Sequence, residues 1–459
     1  MEKTTESPSH TPPFRRRRAL LWISFGLAIL FLSSGKWNFT TSGITLAEFA
    51  SLDRSEFQMI RGIGNWVAFF SLIIAGIVTD ILGGRRAFLF ALGGVAISNA
   101  LLGVILMGSI RWQWDLPLPL LFGVLFAINL HFQSYTTLSI VKIHARWCHV
   151  RERGGFSTIF GLIVILSLNF SVLGIFALSD SIRETPFLDP GLLERFCRQT
   201  LGTVGEPWWL FFLPALLIAG GMGVLYFSLK NSPSDAGQED FDVGEESLGE
   251  NLSRKDALLK MVRHPVLLTS CLIAFCGGAL LQGILPYGLF AKEVGFKNDF
   301  VISDHWGTTL TVGGVLGLIL TGWFSDRFFQ SRRGPMVTLL LGGSVLASIL
   351  MALTLGGNPW FVGAACLCIT MTAYGTIGIL SVGTTADFAG APHAAMATGV
   401  VLTFSGLGGM TIGFLSPFLP KGNEAEIASN WIAWPLFLFF PAAIGFLLSL
   451  RIWKSRPNA

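Results

Sequence analysis

Lys36 sits at the centre of LSSGKWNFTTSGITL, residues 32–46, a stretch otherwise suited to lipid. An ammonium in such a place has one obvious chemistry, which is to meet an anion. If its helix starts near Leu20, Lys36 lies ~24 Å along it at 1.5 Å per residue, too deep to reach either surface. A charge at the bilayer centre costs on the order of 2.5–3.5 kcal/mol, so a water-filled cavity is expected around it. Reading the spans in turn, no Asp or Glu falls in the interior of any of them; Glu48, Asp304 and Asp387 lie at ends. That pattern favours an anionic solute, moved by exchange or facilitation rather than by carboxylate-based proton coupling.

A second set of residues could form ion pairs. GIVTDILGGRR holds Gly76, Asp80, Arg85 and Arg86, and GWFSDRFFQSRRG holds Gly322, Asp326, Arg327, Arg332 and Arg333. Gly76 to Gly322 and Asp80 to Asp326 are both 246 positions apart. A matched pair of this kind points to an internal duplication. Glycine lets a neighbouring helix approach closely, and an Asp one turn later can cap that helix and pair with arginine. Such pairs can act as latches that break when two halves rock.

The elements that must carry these residues are membrane helices. The chain is 52% hydrophobic and only 13% charged, whereas a soluble domain carries roughly a quarter charged residues. Apolar stretches long enough for the ~30 Å hydrocarbon layer are predicted at 20–47, 60–79, 87–109, 117–145, 155–178, 208–229, 264–291, 305–325, 335–355, 359–384, 396–419 and 431–452. The first is too long for a signal core. With the amino terminus inside, 22 Lys and Arg fall in cytoplasmic segments and 8 in outer loops, which places both termini in the cytoplasm. The basic flank FRRRRALLW would hold the first helix against anionic headgroups. The net charge of +4 is this inside bias and carries no argument for nucleic acid.

The expected domains are a basic tail (1–19), a six-helix bundle (20–229), a linker (230–263), a second bundle (264–452) and a short tail (453–459). Residues 231–251 of the linker hold seven acids and no base, the composition of a solvated connector. RKDALLKMVRH, 254–264, reads as a short amphipathic surface helix. Six cysteines form no disulfide framework, because four fall in spans, Cys148 on the cytoplasmic side and Cys197 in an outer loop. No metal-ligand cluster and no intramembrane nucleophile with its base stands out, so neither an enzyme nor a cofactor is expected.

Twelve spans in two repeats, with Gly-x-x-x-Asp turns followed by an Arg pair, resemble the major facilitator superfamily. KIHARWCHVRERGGFSTIFG, 142–161, is similar to a connection in the organophosphate:phosphate antiporters through Trp147, Glu152, Arg153, Gly154 and Gly155. GKWNF, 35–39, resembles the first helix of the glycerol-3-phosphate and hexose-phosphate transporters, and YGTIGILSVGTTADFAG, 374–390, with ATGVVLTFSGLGG after it, resembles their spans 10 and 11. The resemblance implies an all-α fold of two pseudo-symmetric six-helix bundles. It also implies a path lined by spans 1, 4, 7 and 10, which here supply Asn38, Thr40 and Thr41; His131, Gln133 and Tyr135; Gln282 and Tyr287; and Thr372 and Tyr374. Together with Lys36 these form the expected substrate site, although a Tyr or Gln inside a helix often bonds a neighbouring backbone instead. His131 is the member whose charge can change near neutral pH.

The chain also departs from that family. Where the resemblance implies two arginines and a histidine around phosphate, this chain has Lys36, Leu281 or Gln282, and Val164. Lysine is a point charge without the planar fork of arginine. The expectation is therefore a monomeric secondary transporter of a small organic anion in a bacterial inner membrane, with a phosphate ester exchanged for phosphate among the candidates. Transport of a carboxylate or other organic solute is the alternative, and a non-transporting membrane sensor is a third reading.

Overall fold

A computed structural model describes residues 10–183, 206–244, 254–296, 306–329 and 332–455. Expectations placed on Cys197 and Asp304 lie outside the described residues, as do the side chains of Arg151 and Asp326. Helices begin where local chemistry satisfies their first N–H groups. Thr11 accepts from the Phe14 amide at 3.4 Å just ahead of Pro12, and α1 runs Pro12–Thr41. A short α2 follows at Gly43–Ala50. Asp53 and Glu56 close a reciprocal capping box that starts α3, Arg54–Leu82.

The chain continues through α4 (Gly84–Arg111), α5 (Leu118–Trp147), α6 (Arg153–Arg183) and α7 (Trp209–Ser228). After the linker come α8 (Arg254–Arg263), α9 (Pro265–Gly283), α10 (Tyr287–Glu293), α11 (Trp306–Phe329), α12 (Arg333–Thr354), α13 (Pro359–Gly378), α14 (Thr385–Met410) and α15 (Ala433–Arg451). Eleven helical stretches among the described residues are long and apolar enough to cross a membrane.

The difference from twelve lies in one stretch, Pro359–Leu415, which is 57 residues long. A straight helix of that length would span ~85 Å, nearly three bilayer cores. It is broken at Gly390, whose φ of 73° is open to glycine without a Cβ penalty, with Pro392 just beyond. The two expected crossings are therefore both present, joined without a polar loop, and the chain is a multi-pass all-α membrane protein.

Contacts divide the chain into two units: one holds 10–143 and 163–240, the other holds 144–162 and 241–459. The division falls inside the expected linker, but it also assigns the junction of α5 and α6 to the carboxy-terminal helices. In the amino-terminal unit, Asn38 and Asn99 tie three helices together. The Asn38 amide donates to Asn99 Oδ1 at 2.6 Å and to the Leu210 carbonyl at 3.1 Å, while Asn99 donates to the Gly35 carbonyl at 3.1 Å.

In the carboxy-terminal unit, α9 and α14 touch backbone to backbone. A Cβ on Gly278 would collide with the Ser405 carbonyl, and one on Gly408 with the Phe275 carbonyl. Small residues are what permit such an approach. The expected seventh span is not continuous: it stops at Gly283 and resumes at Tyr287, because Pro286 supplies no amide to carry the ladder. The Gly283 carbonyl at this break accepts from the Trp434 indole at 2.6 Å.

Candidate functional site

Lys36 lies in the last two turns of α1 and its side chain is exposed. Leu20, Ile23 and Leu27, the exposed apolar residues of the same helix, lie roughly 140–180° around it at 3.6 residues per turn. The ammonium thus leaves on a different face from the one suited to lipid, a face it shares with the partly exposed Ser33 and Thr40. Its Nζ sits 5.7 Å from the centroid of the neighbouring Trp37 ring. Among the described residues no carboxylate pairs with it.

The other expected site residues of this unit separate by role. Asn38, only 1% exposed, points away from the Lys36 face into the amide network with Asn99, so its placement departs from the expected cavity wall. Gln133 donates from Nε2 to the Leu32 carbonyl at 2.9 Å, which fixes α5 against α1. His131 is partly exposed, with Nδ1 2.8 Å from Ser71 Oγ and Nε2 3.4 Å from the Tyr135 hydroxyl. Tyr135 itself is buried.

In the carboxy-terminal unit, Gln282 is exposed at the last turn of α9, beside the break. Gly409 makes room for it, since a Cβ there would lie 2.8 Å from Gln282 Cγ. Tyr287 is 1% exposed and packs at 4.4 Å on Trp306 and 6.4 Å from Trp434, an aromatic core position rather than an open wall. Tyr374 is partly exposed on α13, whereas Thr372 is buried against Ser344.

The expected latch residues also resolve into two arrangements. Asp80 pairs with Lys142 on α5 at 2.7 Å, a partner that the sequence pattern does not reveal. Arg85 donates from Nη2 to the Tyr226 carbonyl at 2.6 Å and lies over the Tyr226 ring, tying the turn to the end of α7. Arg86 is exposed, Gly76 is buried, and Glu152 accepts from the His149 amide at 3.3 Å.

In the second turn the described residues take other partners. Gly322 is buried, Arg327 is exposed and lies over Trp323, and Arg332 is partly exposed. Arg333 instead turns inward to Asp387, an acid expected only to mark a span end. Arg153 Nη1 reaches Asp387 Oδ1 at 3.1 Å, and Arg333 Nε reaches Oδ2 at 3.3 Å. Arg153 and Asp387 are fully buried and Arg333 is 3% exposed. The guanidinium groups also donate to the Ala145 carbonyl at 2.8 Å and to the Val150 carbonyl and Ser325 hydroxyl at 3.3 and 3.2 Å. A buried carboxylate held by two guanidinium groups meets the requirement that enclosed charges be paired and hydrogen-bonded.

Asp387 comes just after a six-residue π-helix, Ile379–Thr384, at the end of α13. One π turn rotates the residues beyond it by about 100° relative to an uninterrupted α-helix, and this sets the direction in which Asp387 faces. The sequence offered a signal for the triad in the acid of TADFAG, but no spacing rule connects it to Arg153 or Arg333. At the far end of the amino-terminal unit, Arg183 grips Glu48 with two hydrogen bonds of 2.7 and 2.6 Å. Those bonds hold the Glu48 carboxyl below its ordinary range.

A family model described as Major Facilitator Superfamily matches residues 23–413. The chain is 23% identical over 452 residues to the membrane sensor protein UhpC of Salmonella typhimurium, covering 95% of this chain and 91% of that one. It is 35% identical over 96 residues to the glycerol-3-phosphate transporter of Bacillus subtilis, 21% of each chain. A solved bacterial homologue of the iron transporter ferroportin, in an outward-facing state, superposes with a TM-score of 0.68 at 12% identity, covering 95% of this chain and 100% of that one.

Proposed function

Because the chain belongs to the Major Facilitator Superfamily, we propose that it is a secondary transporter that binds a small organic anion at Lys36 and moves it by alternating access. The observation that carries this reading is an exposed lysine in the last two turns of a span, turned from the apolar face of its helix, with no described carboxylate to neutralise it. Gln282 and Tyr374 are the neutral polar candidates among the carboxy-terminal helices, and Gln133 would hold α5 in register. A phosphate ester exchanged for phosphate is the preferred solute, supported by the likeness to the glycerol-3-phosphate transporter. The protein would work as a monomer in a bacterial inner membrane with both termini in the cytoplasm, and without enzymatic activity.

The buried triad would serve as the latch of the cycle. Releasing Arg153 from Asp387 would loosen residues 144–162 from the carboxy-terminal helices, and Asp80–Lys142 would brace the corresponding end of the amino-terminal unit.

The test is ligand-dependent thermal stabilisation of the purified protein, followed by exchange in liposomes, with inorganic phosphate, glycerol 3-phosphate, sugar phosphates and carboxylates. A ligand that binds only the native state raises apparent stability with concentration. Stabilisation by phosphate compounds that Lys36→Gln removes supports the reading; stabilisation by carboxylates alone moves the substrate to that class, which one lysine in place of an arginine pair would also suit. A second reading, ligand sensing without transport, is favoured by the likeness to a membrane sensor across nearly the whole chain. Stabilisation without exchange would select it.

A further inference from the structure

We infer that His131, set between Ser71 and Tyr135, is a proton-binding site that couples net anion movement to a pH gradient; the inference rests on the transport reading above. Among the described residues it is the one histidine in the interior of a span, since His144, His264 and His393 stand near helix ends and His10 and His149 outside the spans. Imidazole is the side chain whose ordinary titration falls near neutrality. The ordinary titration ranges of lysine and tyrosine lie well above it.

The partners decide the matter in favour of a working site over a strut. A structural histidine fixed to a backbone carbonyl has one nitrogen committed to donating. Here Nδ1 meets the Ser71 hydroxyl at 2.8 Å and Nε2 meets the Tyr135 hydroxyl at 3.4 Å. A hydroxyl can donate or accept. With the ring neutral, one hydroxyl donates to the bare nitrogen and the other accepts from the N–H. With the ring protonated, both N–H groups donate and both hydroxyls turn to accept. The same two residues therefore offer an oxygen to each ring nitrogen in either charge state. Ser71 and Tyr135 are each 3% exposed, whereas the ring between them is partly exposed.

Height and charge connect this ring to Lys36. Gln133 reaches the Leu32 carbonyl, and α5 runs antiparallel to α1, so His131 stands within about one helical turn of the Lys36 level. On α3 no charged residue lies between Arg61 and Asp80, about 15 and 14 Å along the helix from Ser71, and Asp80 pairs with Lys142. On α4 none lies between Arg86 and Arg111. Tyr135 is thus the titratable group in contact with the ring, and Lys36 is a charge at about the same level on α1. Protonation adds a second positive charge at the depth of the first, matched to a doubly ionised anion such as a phosphate monoester. The proton is taken from water onto a ring nitrogen, crosses with the anion and returns to water, so no bond other than N–H is made or broken.

The experiment uses the full chain in liposomes with labelled inorganic phosphate, and glycerol 3-phosphate in parallel. Self-exchange without a gradient is compared with net uptake under an acid-outside gradient, with a protonophore as control. Wild type should show net uptake accelerated several-fold by the gradient and returned to the gradient-free rate by the protonophore. His131→Gln should lose the gradient dependence, whatever absolute rate it keeps. Should that variant be inactive, Ser71→Ala decides: it keeps the ring, removes one partner and should shift the pH of half-maximal net uptake. Gradient dependence undiminished in His131→Gln, an unshifted profile in Ser71→Ala beside an inactive His131→Gln, or wild-type exchange indifferent to the gradient would each overturn the coupling. Absence of wild-type self-exchange with either probe would overturn the transport reading, and the coupling with it.

Discussion

Lys36 and Asn38 are two residues apart, yet they face different surroundings, and their variants should fail differently. Lys36→Gln is expected to lower kcat/KM for exchange by roughly 100-fold, the scale of one charge-assisted contact of about 2–3 kcal/mol, with little change in melting temperature. Lys36→Arg should restore part of that activity. Asn38→Ala should instead destabilise the protein by about 1–3 kcal/mol, because it leaves Asn99 Oδ1 without its 2.6 Å donor; thermal melting measures it. The lysine was legible in the sequence because charge in an apolar run is conspicuous. The role of Asn38 was not, since a polar residue in a span reads alike whether it faces a cavity or a neighbouring helix. Glu48 offers a pH test at the same scale. Its carboxyl titrates lower in the folded than in the unfolded chain because Arg183 hydrogen-bonds it, so its contribution is present above the unfolded value of about 4.3 and is lost as pH falls through the folded value. Melting should therefore weaken more between pH 5 and pH 3, roughly, in wild type than in Arg183→Gln.

At the scale of elements, the π-helix and the triad form one device. Asp387→Asn would remove the carboxylate that two buried guanidinium groups share and should cost about 3–5 kcal/mol, read as a fall in melting temperature with raised accessibility of cysteines introduced between 150 and 160. Deleting Val382 would restore α-helical register and swing Asp387 by about 100°. That variant should reproduce the Asp387→Asn phenotype although every charge is retained. An unchanged melting curve after the deletion would separate the π-helix from the triad. Helix positions were legible because spans are long and uniformly apolar. The break at 284–286 was partly visible in Pro286, but the merged turn at Gly390 was hidden by continuous hydropathy. The pairing of Asp387 with Arg153 and Arg333 was hidden for another reason: its members are 234 and 54 residues apart.

For the whole molecule, the duplicated turns were read as matching latches, and their described residues take different partners. The amino-terminal unit employs the acid, Asp80, and the carboxy-terminal unit employs an arginine, Arg333. Asp80→Asn should accordingly slow turnover more than it weakens substrate affinity, measured as kcat against KM for exchange. The repeat led to an expectation of bundles at 20–229 and 264–452; contacts group 144–162 with the carboxy-terminal helices, which could not be read from a segment that looks like an ordinary connector. The reciprocal seating of Gly278 and Gly408 has a mechanical consequence for α9. Two backbone contacts, at residues 275 and 278, pin that helix to α14 and remove its freedom to slide or roll there. Its lower arm is then a fixed beam, and the first pivot above the clamp is the interruption at 284–286. Any swing of this helix during a cycle is concentrated in the few residues beyond Gln282, so the exposed amide stands at the fulcrum and not on the moving arm.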